Sequence, residues 1–171
     1  RNRVTLEAGW DALASLENAF VPLTTSLEPG MEEDWLYTGR AFAINSLMAN
    51  AGWMVTLRED IGAQTYWRVY IRCWVQDGSV GEPIHNAPWN LSARYELDPR
   101  TYEQGGEYAS VPSGYWLDVT SLASAYGWER IPALPNWRTF YNGARFTEFA
   151  LTGGLPWYNA MQELYPVEAL V

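Results

Sequence analysis

Residues 65–75, TYWRVYIRCWV, alternate so strictly that a strand with two chemically different faces is the natural conformation. Trp67, Val69, Ile71, Cys73 and Val75 fall on one side, which reads as core. Tyr66, Arg68, Tyr70, Arg72 and Trp74 fall on the other. That second face is open to two readings. It is a ligand platform, or it is a surface covered by the rest of the fold, its arginines neutralised by carboxylates. Its aromatic residues, Tyr66, Tyr70 and Trp74, recur every four residues on a strand that advances about 6.8 Å per two-residue step. Rings at that spacing suit successive sugar units, and Arg68 and Arg72 between them suit bidentate pairing with carboxylates of a peptide or acidic sugar.

With 171 residues the chain is long enough to bury a core without staples, and residues 1–171 read as a single domain. Its net charge of -9 argues against a nucleic-acid partner and against a polybasic membrane site. No apolar run approaches the roughly 18 residues that a spanning helix needs, so no membrane insertion is expected. No signal peptide or initiator methionine is visible, which reads as a mature or excised segment. All 11 basic residues are arginine, a bias that favours planar pairing and that codon usage also produces. The single cysteine, Cys73, lies on the apolar strand face and reads as a buried small hydrophobe. Ten tryptophans exceed what a plain core needs and suit flat recognition of sugars or peptides.

Along the chain, Thr5 reads as the cap of an amphipathic helix with Leu6, Trp10, Leu13, Leu16 and Phe20 on one side, ended by Pro22. Thr25 to Asp34 reads as a turn and a solvated acidic loop. Arg40 to Ile44 and Trp53 to Glu59 read as short strands flanking an Asn50-Ala51-Gly52 turn, and Asp60-Ile61-Gly62 as a hairpin connection into the long strand. Residues 76–112 carry little periodicity and read as a long irregular loop. Asp118 or Thr120 starts a helix followed by Gly127, and Pro156 opens a last helix with Trp157, Ala160, Met161 and Leu164 on one face. This order predicts an α+β domain, an antiparallel sheet with helices packed on one face.

One histidine and one cysteine leave a zinc site short of ligands, and no metal or other cofactor is expected. Asp77-Gly78-Ser79 with Glu82 reads as a hairpin turn or a calcium loop, and Ser79, His85 and Asp77 as a solvated loop or a triad. The strongest enzymatic alternative is a carboxylate pair, Glu148 with Glu59 or Asp60, cleaving glycan.

Gly39-Arg40-Ala41-Phe42-Ala43-Ile44 resembles the end of the Ser-x-His-x-x-Gly-x-Ala-x-Asp motif of zinc D-Ala-D-Ala carboxypeptidases, which share their fold with the Hedgehog signalling domain. Leu122 to Trp128 and the Arg145 to Phe149 segment are similar in order to that family's later helix and closing strand. On this alignment Leu36 and Ala43 stand where zinc ligands would be, and no histidine lies near Glu148 in sequence. The resemblance therefore implies a peptidase-like domain without the zinc chemistry. The stretch from Thr65 to Leu170 also resembles extracytoplasmic domains of filamentous green bacteria that accompany Tol-type β-propeller repeats. That likeness implies a bacterial envelope or secreted location. The combined expectation is a non-catalytic domain binding cell-wall glycan or peptide through Tyr66, Arg68, Tyr70, Arg72 and Trp74. A structural module packed on a neighbouring domain is the remaining alternative.

Overall fold

The computed structural model describes residues 1–24 and 33–170. In chain order its elements are α1 (Asn2–Ala8), β1 (Leu16–Asn18), β2 (Ala41–Ile44), α2 (Leu47–Asn50), β3 (Met54–Ile61), β4 (Gln64–Arg72), β5 (Trp89–Asn90), α3 (Pro99–Gln104), β6 (Glu107–Tyr108), β7 (Trp116–Asp118), α4 (Val119–Ser124), β8 (Glu129–Arg130), β9 (Glu148–Ala150) and α5 (Trp157–Gln162). The fold is α+β, as the element pattern predicts. Its antiparallel strands divide among three sheets, ordered β1-β2-β9-β8, β3-β4-β7 and β5-β6.

The long alternating strand is β4, paired with β3 from Met54↔Ile71 to Ile61↔Gln64, so that Gly62 and Ala63 make a two-residue hairpin loop. Val69 and Ile71 pack with Met54, with Ile44 and Phe149 of the four-stranded sheet, and with Val4, Ala8 and Val119 from α1 and α4. One core thus joins the two larger sheets to two helices. A second cluster centres on Trp67, Trp89 and Trp137. Arg58 stacks there, its guanidinium 4.9 Å from the Trp89 ring centre and 5.1 Å from that of Trp137. Val75 is exposed rather than on the core face, because pairing stops at Arg72.

Four other expectations are corrected. The first helix ends at Ala8, well before Pro22. Gly9 turns left-handed with φ 80°, and the Ala8 carbonyl accepts the Trp74 N–H at 2.7 Å. Thr5 lies inside the helix instead of capping it, Leu16 joins β1, and Phe20 is exposed. Residues 76–112 are not one irregular loop: they hold β5, a 3-10 helix at Leu91–Tyr95, α3 and β6. Asp98 caps α3 by accepting the Arg100 N–H at 2.9 Å, with Pro99 in the first turn. The turn expected over 25–34 lies mostly outside the described residues, but Asp34 is only 7% exposed and is not solvated. In α5, Ala160 and Met161 are buried while Leu164 faces solvent.

Candidate functional site

The β3-β4-β7 register places Glu59 opposite Tyr66, Leu57 opposite Arg68, and Asp118 opposite Tyr70, all on the aromatic–arginine face. Arg68 is an ion-pair hub. Its Nε donates to Glu59, and its Nη1 donates to Asp118 at 2.9 Å and to the Ser121 hydroxyl at 2.9 Å. Arg130 reaches the other Glu59 oxygen at 2.7 Å and lies 5.2 Å from the centre of the Tyr66 ring. Burial raises the Glu59 pKa, but hydrogen bonds from Arg68 and Arg130 outweigh it and hold the carboxyl below its ordinary range. Tyr70 packs beside Leu57, Ile84 and Trp116, and burial, then the Asp118 charge, raises its pKa. Arg72 lies 5.8 Å from the centre of the Trp116 ring. Of the five residues predicted to bind ligand, Trp74 alone is classed as exposed, at 64%, and its ring stacks at 5.9 Å on that of Trp53.

Glu148 stands elsewhere. It opens β9 and pairs with Ala43 of β2. Together with Glu17, Asp34, Tyr37, Tyr141 and Arg145 it lines a cleft of about 380 Å³, in whose wall Leu36 and Ala43 also stand. The groups acting on Glu148 are Asp34, Arg145 and Glu17, whereas Glu59 is held by Arg68 and Arg130, and Asp60 by Arg58 and Thr65. The structure therefore couples Glu148 to other carboxylates than the two named from sequence. Burial first, and the Asp34 charge second, push the Glu148 carboxyl up to about 8. Its Oε2 is fully buried and has no hydrogen-bond partner.

Asp34 is positioned by a helix start. Its side chain accepts the Leu36 N–H at 2.9 Å at the head of a 3-10 helix, Trp35–Thr38, while its carbonyl accepts the Trp157 indole N–H at 2.9 Å. Burial raises its pKa, and the Leu36 N–H and the Arg145 charge oppose that rise. Among the described residues Arg145 is the non-glycine residue with a left-handed backbone, at φ 51°, and its Nε is buried without a partner. Asp34, Tyr141 and Arg145 escape the sequence reading. The usable signal for Asp34 is local: an aspartate directly before an apolar Trp-Leu pair is a helix cap.

The remaining candidates are plainly placed. Asp77 accepts the Ser79 N–H at 2.9 Å in an exposed turn, and Ser79 and His85 are exposed. Cys73 is buried against α1, and burial pushes its thiol pKa up. Among the described residues no group of three or more His, Cys, Asp and Glu side chains is arranged to hold a metal ion. Nor is any helix among them long and apolar enough to cross a membrane. Comparison of the chain with protein-family models, curated proteins and solved structures finds no match.

Proposed function

We propose that this domain is a non-catalytic ligand-binding module of an extracytoplasmic bacterial envelope protein, and that cell-wall peptide or glycan enters the Glu148 cleft. The observation that carries this reading is a half-buried carboxyl group in the wall of a concavity, with no ion pair to the described residues and with its Oε2 buried and unpartnered. Leu36 and Ala43, where the peptidase resemblance puts zinc ligands, line the same cleft, which supports binding without metal chemistry. The aromatic–arginine strand contributes less: Arg68 spends its donors on Glu59, Asp118 and Ser121, leaving Trp74 as its exposed ring.

The test is calorimetric titration of the domain with a set of defined peptidoglycan fragments, each also incubated and assayed for cleavage. Saturable binding, weakened at least about tenfold by Glu148→Leu with no fragment cleaved, is the expected result. Binding indifferent to Glu148→Leu, or no binding across the set, would overturn it. A hydrolytic reading is favoured by one observation: burial lifts both Glu148 and Asp34 and the Arg145 charge opposes both shifts, while Asp34 alone is also steadied in its ionised form by the Leu36 N–H. That arrangement suits an acid beside a base. It predicts fragment cleavage that is lost in Glu148→Gln while binding remains.

A further inference from the structure

We infer that the ligand is a peptide bearing a free amine, whose ammonium is seated beside Glu148 and whose uncharged part passes Tyr141 into an adjoining compartment. This rests on the cleft being the binding site. Two features carry it.

The first is charge. Arginines elsewhere neutralise Glu7, Asp11, Glu59, Asp60, Asp118 and Glu163 through ion pairs. Among the described residues no ion pair within 4.0 Å reaches Glu17, Asp34 or Glu148. Three carboxyl groups from three separate segments thus line one cleft, where the charges of Asp34 and Glu17 act on Glu148 and where Arg145 is, among the described residues, the one guanidinium. An anionic ligand is repelled there, and a neutral one leaves the surplus uncompensated. An ammonium placed against the buried Oε2 of Glu148 supplies both the missing partner and the missing charge.

The second is continuity. A further compartment of about 380 Å³ shares Ser46, Tyr141 and Phe146 with the Glu148 cleft. Among the described residues no acidic or basic side chain lines it; Met54, Trp89 and Leu91 give it apolar surface. The Thr56 hydroxyl in its wall is buried without a hydrogen-bond partner, and Asn50 and Asn90 stand nearby in the lining. One unpaired hydroxyl and two side-chain amides, of which Asn90 already accepts the Ser92 N–H at 3.0 Å, stand among apolar side chains and suit the alternating amides and side chains of a peptide better than a run of sugar hydroxyls.

Seating a cation requires Glu148 to ionise, so a proton leaves its carboxyl for solvent as the ligand binds. The groups facing it are Glu17 from β1, Asp34 and Tyr37 from the 3-10 helix and its cap, and Tyr141 and Arg145 from the segment before β9. Burial raises the Tyr141 pKa, so its phenol stays neutral below the pH at which Glu148 ionises. With Glu148 titrating at about 8, affinity should climb by up to about tenfold per pH unit from about pH 6, peak near pH 8 and fall above it as the peptide's own α-ammonium, ordinarily titrating at about 8, loses its proton.

The experiment titrates the domain with the cell-wall peptides of the fragment set, each C-terminally amidated, in free-amine and N-acetylated forms, beside N-deacetylated glycan fragments. Free-amine peptides should bind at least tenfold more tightly than their acetylated twins, release protons at pH 7, and weaken in both Glu148→Gln and Thr56→Val. Equal binding of the acetylated twins, still sensitive to Glu148→Leu, would overturn the amine assignment while leaving the cleft reading intact. Deacetylated glycan binding without peptide binding would overturn the peptide assignment. No binding of any probe would overturn both readings.

Discussion

Glu148 illustrates what one buried carboxyl does to stability as well as to binding. A carboxyl ordinarily near 4.5 that is lifted to about 8 in the fold costs nothing below pH 4.5, where it is protonated in both states. As pH rises toward 8 the unfolded chain loses that proton and the folded chain resists, so stability falls across this window and levels off above it. Glu148→Gln does not titrate. Denaturant melts of the two proteins should therefore diverge from pH 4.5 to 8, opening a gap of about 3–5 kcal/mol in favour of the variant. Parallel pH profiles would show that Glu148 is solvated. The residue was legible as a candidate because it is a carboxylate beside a strand of apolar residues. Its partner Asp34 was not, because the Trp157 indole that helps to enclose it lies 123 residues further along the chain. Arg68 was legible from sequence as either a ligand contact or an arginine neutralised by carboxylates, and the carboxylates it pairs with depend on the register of β3 and β7.

At the level of elements, period-two patterning found β4, and the turn expected at Asp60-Ile61-Gly62 falls two residues early, since Asp60 and Ile61 are still paired in β3 and the loop is Gly62-Ala63. Apolar spacing failed where tertiary contacts interrupt it: Leu6 to Phe20 keep helical intervals, but α1 stops where Gly9 meets the side of Trp74. Likewise, 76–112 gave no periodic signal because its strands are two residues long and are held by Trp89 against Tyr108. Its first part is fixed at Gly81, next to the backbone bridge from Glu82 to Trp116. With φ 73°, a Cβ at position 81 would lie 2.5 Å from Cys73 Sγ and 2.9 Å from the Trp116 carbonyl oxygen. Gly81→Ala should thus lower stability by roughly 2–4 kcal/mol, combining backbone strain with overpacking. An unchanged melting temperature would mean that this crossing is loosely packed.

Across the whole molecule, composition set the class and the acidic balance, and the α+β reading followed from element order. The division into three sheets did not, since β2 finds β9 more than a hundred residues away and nothing local announces that pairing. What results is one core in which strands from both larger sheets and two helices share contacts. Cys73 lies inside it, at 0% exposure and as the chain's single thiol. Its sulfur lies 4.0 Å from the Glu7 carbonyl of α1 and against Gly81, so a disulfide reagent reaches it only when this cover opens. Its modification in native buffer should run at least about a thousandfold slower than in denaturant, in proportion to the population of opened molecules. Native modification as fast as in denaturant would contradict that enclosure. The chain thus carries its own chemical clock for breathing of the core, readable in the unaltered protein and able to register whether an occupied cleft, some distance along the sequence, quiets the whole.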